Sequence, residues 1–262
     1  MITDPLHKMI YWKRAQYQRD RWERKFHYLF RNVLNKQFRD LADKITPTNT
    51  GETIVHQMTD DPIRKAMIKL YQTVGVAFAR QEYRKYKSHD MLSKQEEPLD
   101  DWLKTMEAFA KNRAGERIVS IAAGSRDQAL KIIRKYLDQS LQEGWGAEET
   151  ARAIRKGLTT DGIQINQWRS LRIVRTEIVT ASNTGTMMGA RSSEFPLEKY
   201  WIAVQDSRTR ETHSIIEEQN PKQMDEGFMV GAYMMEMPGD PDAGPEETIN
   251  CRCVLATEVK GY

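Results

Sequence analysis

Cys251 and Cys253 stand one residue apart near the end of a 262-residue chain that has no other cysteine. On a regular strand alternate residues share a face, so both thiols can look the same way, and with His213 they offer three soft donors of the kind zinc prefers. No fourth ligand is evident: Asp206 or another acid can serve, or the thiols are small buried hydrophobes with no metal at all. A disulfide across a single intervening residue would be strained, which excludes a disulfide-stapled secreted fold. A second group, Asp206, Arg208, Arg210 and His213, reads as a carboxylate at a strand end followed by a histidine on a short helix. Asp206 is expected to cap that helix. As chemistry, Asp206 and His213 are a ligand or acid–base pair, although their spacing matches no known metal motif. The third group is Arg175-Thr176-Glu177. Neighbours on a helix diverge, so Arg175 and Glu177 do not make one catalytic pair and are expected to tie their helix to the β region, for instance through Asp206 or Arg252. A Gly-rich nucleotide loop, a Gly-x-Ser-x-Gly elbow and a His-Glu-x-x-His helix are all missing from the sequence. His7, His27, His56 and His89 read as ordinary surface histidines.

These groups need elements to hold them. Trp22, Phe26, Leu29, Phe30, Val33 and Leu41 recur at helical spacing and predict a first helix ending near Thr46, ahead of Pro47. Asp61-Pro62 opens a second helix with Ile63, Met67, Leu70, Tyr71, Val74 and Phe78 on one face, running to about Lys87. The polar stretch Ser88–Leu99 is the best candidate for a linker, and Trp102, Met106 and Phe109 mark a third helical segment. Ser125 is expected to cap a helix carrying Leu130, Ile133, Tyr136, Leu137 and Leu141. A short helix over Glu148–Lys156, a turn at Thr159-Thr160-Asp161-Gly162 and a long helix from about Asn166 to Ala190 should follow. That long helix has a narrow face of small residues suited to close packing. Beyond Pro196 the period changes to two: strands are expected near Tyr200–Val204, Phe228–Tyr233 and Arg252–Val259, with the whole segment between the last two, including Pro238, Gly239, Asp240, Pro241, Gly244 and Pro245, read as loop. The fold class is therefore α+β, a predominantly helical N-terminal region followed by a small C-terminal α+β domain with a few short strands.

Charge is segregated along the chain. Forty Lys and Arg nearly balance 37 Asp and Glu overall. Between Met1 and Asp40, however, ten bases face four acids, and from Ser192 onward fourteen acids face six bases. The basic end suits a polyanion, with Arg14, Arg19, Arg21, Arg24, Lys25 and Arg31 as candidate contacts and aromatic residues interleaved for stacking or anchoring. A solvated basic helix face over an aromatic core face is the simpler account of the same pattern. No stretch has the uninterrupted apolar length of a membrane span, and the first residues lack the apolar core of a signal peptide, so a cytosol-like compartment is expected.

Taken together, the C-terminal half resembles the Mu F-like head morphogenesis family, minor head proteins of tailed bacteriophages. The resemblance lies in Arg175-Thr176-Glu177 followed by Ala181, Asn183 and Gly185, in Asp206-x-Arg208-x-Arg210-x-x-His213, in Pro238-Gly239-Asp240-Pro241 and in Asn250-Cys251-Arg252-Cys253. It covers about residues 130–257; with the polar linker candidate near residue 95, the chain is expected to divide into a helical, basic N-terminal region (1–95) and a segment (96–262) leading into the family domain. Many relatives carry Cys-Pro-x-Cys after the Asp-x-Arg step and a His before the Asn-Cys-Arg-Cys. Glu211, Thr212, Thr248 and Ile249 stand at those places here, which weakens the zinc reading. The resemblance implies a non-enzymatic virion protein made in the host cytoplasm and held inside the capsid near the portal vertex, acting in head assembly and DNA packaging or ejection. Its implied partners are the portal protein, the major capsid or scaffolding protein, and double-stranded DNA bound without sequence preference. The alternative is a metal-dependent hydrolase or nuclease built on the C-terminal Asp/His/Cys cluster.

Overall fold

The computed structural model describes residues 2, 4–87 and 96–260, so most of the expected linker at Ser88–Leu99, and His89 with it, lies outside the described residues. The described residues form seven α-helices and five short strands: α1 (Pro5–Ala42), α2 (Asp61–Lys87), α3 (Leu99–Lys111), α4 (Gly115–Glu143), α5 (Ala147–Arg191), β1 (Leu197–Ile202), α6 (Glu211–Ser214), β2 (Lys222–Gln223), β3 (Phe228–Val230), β4 (Tyr233–Met235), α7 (Pro245–Thr248) and β5 (Val254–Val259). The fold is α+β, with helices first and a few antiparallel strands last. They divide into two compact units, one of Met1–Lys25, Ile68–Ala114 and Ile173–Tyr262, the other of Phe26–Met67 and Gly115–Arg172.

In the first unit β1 is the middle strand of a three-stranded antiparallel sheet, ordered β2-β1-β5, with Tyr200 opposite Ala256 and Ile202 opposite Val254. Both faces of β1 are covered, which is why its run is apolar in both phases. Trp201 packs with Phe228, Met235, Leu255 and the two cysteines, while Tyr200 and Ile202 pack with Ile2 and are flanked by Tyr11 and Trp12 of α1. The expected strand at Phe228–Tyr233 is a hairpin, β3 paired with β4 and turned at Gly231, where φ is +58°. Small residues let α5 approach α2 closely. A Cβ on Gly185 would stand 2.1 Å from the Gly75 carbonyl oxygen, and one on Gly189 would stand 2.2 Å from that of Ala79. Backbone cannot yield as a side-chain tip does, so only glycine fits at either site.

The second unit has its own core, with Phe38, Leu41, Ile54, Val55, Ile132, Ile133, Ile154 and Leu158 at its centre. Here the sequence reading is corrected twice. α5 is one 45-residue helix, with no break at Gly157 and no turn at Thr159–Gly162. The glycines are seats for rings: a Cβ would meet Tyr136 at Gly157 and Phe38 at Gly162. Each interior glycine costs about 1 kcal/mol of helix propensity. Fully burying a ring such as Phe38 against the bare backbone contributes about 1.5–3 kcal/mol and half-burying Tyr136 contributes part of that, so the helix continues. The hydroxyls of Thr159 and Thr160 donate back to helix carbonyls, at 3.0 Å to Arg155 and 2.8 Å to Lys156, instead of opening a turn. Likewise α4 starts at Gly115, well before Ser125. Ser125 lies mid-helix, donating to the Ile121 carbonyl at 3.1 Å and accepting from Arg169 at 2.7 Å, and caps nothing.

Candidate functional site

In the first unit the C-terminal part of α5 is a spine of buried polar residues on which the separate motif segments hang. Thr176 Oγ1 accepts the Asn250 N–H at 3.1 Å, and Thr180 Oγ1 donates to the Gly239 carbonyl at 2.7 Å. Asn183 uses both ends of its amide: Nδ2 donates to the Pro238 carbonyl at 2.9 Å, and Oδ1 accepts from the Leu255 N–H at 2.9 Å and from Arg19 at 2.8 Å. The Pro-Gly-Asp-Pro loop and the closing strand are thereby fixed to one helix face, each bond satisfying a buried group that would otherwise cost about 1–3 kcal/mol. Asp240 completes the loop from inside: its buried carboxylate accepts from Arg113 at 2.9 Å and from the Glu236 N–H at 2.8 Å, while burial raises its pKa.

Arg175 and Glu177 each bond to a different N-terminal helix. Arg175 donates to Glu23 of α1 at 3.1 Å, and the buried Glu177 accepts from Tyr71 of α2 at 2.7 Å. These two ties run to the N-terminal helices, and Thr176 between them reaches the C-terminal region. Asp206 is not a helix cap. α6 begins after Arg210 with no side-chain cap, and Asp206 instead takes both ends of the Arg252 guanidinium, at 2.8 and 2.5 Å, together with the Arg208 N–H at 3.0 Å. That forked bond to Arg252 holds the Asp206 carboxyl well below the usual carboxylate range. Arg210 donates to the Ile249 carbonyl at 2.6 Å.

The structure brings His213, Cys251 and Cys253 together, all buried, with their donor atoms within 4.8 Å of one another. His213 Nδ1 stands 3.3 Å from Cys253 Sγ and 3.7 Å from Cys251 Sγ. Its other nitrogen, Nε2, is 2.9 Å from Glu247 Oε2, which also accepts from Thr212 at 2.9 Å. With Nε2–H on the carboxylate, the Nδ1 lone pair faces the sulfurs. The Cys253 N–H donates to Cys251 Sγ at 3.4 Å. Cys251 is held below the usual thiol range by the Cys253 thiol donating to it and by His213, and Cys253 is pushed up by that same bond and by burial. His213 thus has Glu247 as its carboxylate partner, and Asp206 has Arg252. Glu247 sits two residues into a helix of four, α7, inside what reads as loop, and no residue spacing in the sequence points to it.

A cleft of about 900 Å³ opens beside this centre, with Cys251 in its wall and six arginines (Arg19, Arg24, Arg175, Arg208, Arg210 and Arg252) around it. Of the expected N-terminal contacts, Arg14, Arg21, Arg24 and Lys25 are exposed. Lys25 lies over the Trp22 ring at 5.1 Å, and Arg31, half-buried, over Tyr28 at 5.6 Å. Arg19 departs from the expectation. It is 2% exposed and donates to Ser182, Asn183 and the Cys253 carbonyl, so it braces α1 against the C-terminal region and offers no free surface charge.

Residues 131–256 match the family model described as Phage Mu protein F like protein. No curated protein and no solved structure matches the chain significantly. Every motif segment hung on α5 or gathered at the thiols lies inside that stretch. The C-terminal half of this chain, residues 131–256, is therefore a Mu F-like region of the phage protein family.

Proposed function

We propose that this chain is a minor head protein of a tailed phage, held inside the capsid at the portal vertex, where it serves head assembly and the passage of DNA and turns over no substrate. The coarser part of that reading, a phage head morphogenesis protein, follows from the Mu F-like region. The observation that supports a scaffold role is how the motif residues are used. Asp206, Arg210, Asn250, Arg252, Thr176 and Asn183 each bond to another segment of the same unit, as a scaffold requires. Partners then meet the surface: the exposed Arg14, Arg21, Arg24 and Lys25 supply charge for DNA phosphates or for acidic patches on a portal or capsid protein.

Among the described residues no helix is long and apolar enough to cross a membrane. The test is co-expression of the intact chain with the portal protein of the same phage, followed by affinity capture through the portal. The proposal expects the chain to be retained on portal rings at moderate salt and to be lost when Arg14, Arg21, Arg24 and Lys25 are all changed to Glu. A chain that flows through while the portal is captured contradicts it.

A further inference from the structure

We infer that His213, Cys251 and Cys253 form a site for one divalent ion of the zinc type, with Glu247 as the residue that orients the histidine. The inference is independent of the head-assembly reading. It rests on distances. A tetrahedral ion bonded to sulfur at about 2.3 Å and to imidazole nitrogen at about 2.05 Å sets those two donors about 3.5 Å apart. The two N···S separations, 3.3 and 3.7 Å, bracket that value.

Hydrogen-bond donors and positive charge stand around the sulfurs. Cys251 Sγ receives the Cys253 backbone N–H at 3.4 Å. The indole N–H of Trp201 is buried with no hydrogen-bond partner, and its ring meets the His213 ring edge-on, with centroids 5.5 Å apart. A buried N–H left unpaired costs about 1–3 kcal/mol, and a sulfur carrying full negative charge relieves that cost far better than a neutral thiol. The buried guanidinium of Arg19, bonded to the Cys253 carbonyl at 3.1 Å, adds positive charge on the same side.

On the imidazole, the Glu247 carboxylate at Nε2 fixes the ring and the tautomer that leaves Nδ1 free to bind, as carboxylates beside metal-bound histidines commonly do. Thr212 in turn fixes Glu247. Three protein donors leave one position of a tetrahedron, and Cys251 lies in the wall of the open cleft, so water or an anion from the cleft would fill it. Binding would release the thiol protons and lock α6 to the segment entering β5.

The experiment uses the intact chain, freed of metal with a chelator under reducing conditions and titrated with cobalt(II), then zinc. The inference predicts thiolate-to-cobalt charge-transfer absorption and tetrahedral d–d bands that saturate at one ion per chain and vanish on adding zinc. It also predicts that both thiols are protected from a disulfide reagent while metal is bound. Cys253→Ser should cut the charge-transfer intensity per chain to about half or less, with unchanged circular dichroism. Glu247→Gln should keep the spectrum but weaken affinity by about 10- to 100-fold, a change that a residue serving only to fill space would not cause. If the substituted chains fail to fold, the native titration decides alone. A native chain that shows no charge-transfer band at excess cobalt, or whose thiols react at the same rate with and without zinc, overturns the site.

Discussion

Single residues in this protein are explained by what they leave unsatisfied when changed. Lys199 is fully buried on β1, donating to the Glu236 carbonyl at 2.9 Å with its ammonium 5.4 Å from the Phe228 ring centre, and burial brings its pKa down to about 8. An unfolded lysine titrates near 10.4, so between about pH 8 and about pH 10.4 the unfolded chain holds the extra proton and stability rises with pH across that window. Urea denaturation at several pH values within it should show the native chain gaining stability relative to Lys199→Met as pH rises. Parallel curves for the two would contradict the buried charge. Asn250, which opens the Asn-Cys-Arg-Cys segment, has φ at +55°, in the left-handed region that asparagine and glycine tolerate best. Asn250→Gly is expected to leave stability within about 0.5 kcal/mol, and Asn250→Val to lose about 1–2 kcal/mol or more, as read from denaturation midpoints. Equal losses in both would mean that the amide, and not the backbone, sets this position.

Among the elements, α5 does the most, and its glycines work in two ways. At Gly189 an added methyl would meet the Ala79 carbonyl of α2, whereas at Gly157 it would meet a Tyr136 ring that can turn aside. Gly189→Ala should therefore destabilise by about 2–3 kcal/mol and Gly157→Ala by clearly less, because a ring relaxes and a helix backbone does not. A thermal melt that ranks them the other way would refute the close approach. Helix existence was legible in the sequence wherever apolar residues kept a 3.6-residue period: the stripe from Ile63 to Phe78 is buried throughout. Helix ends were less so. Glycine, threonine and serine signal turns in the local chain, and nothing local reveals that Tyr136 and Phe38 occupy the space beside Gly157 and Gly162 or that Ser125 answers Arg169. The site divides the same way. His213, Cys251 and Cys253 were named by residue type, but Glu247 and Trp201, which complete their surroundings, are distant in sequence and ordinary in type, so only the fold discloses them.

For the whole molecule, the segregation of charge along the sequence takes a definite form. Arg19 and Arg175 are committed to internal bonds, while Arg14, Arg21, Arg24 and Lys25 stay exposed on α1. If those four contact DNA phosphates, binding is sequence-independent, and neutralising all four lowers the slope of log affinity against log salt by up to about 3–4. An unchanged slope would move DNA contact elsewhere. The central claim, a scaffold-like Mu F-like region that belongs to a phage head at its portal, is tested most directly by reconstructing intact particles of the parent phage without imposed symmetry, with and without the gene for this chain. The account predicts density at the single portal vertex, inside the shell, that disappears with the gene. Density repeated over the capsid lattice, or particles identical in both preparations, would contradict it.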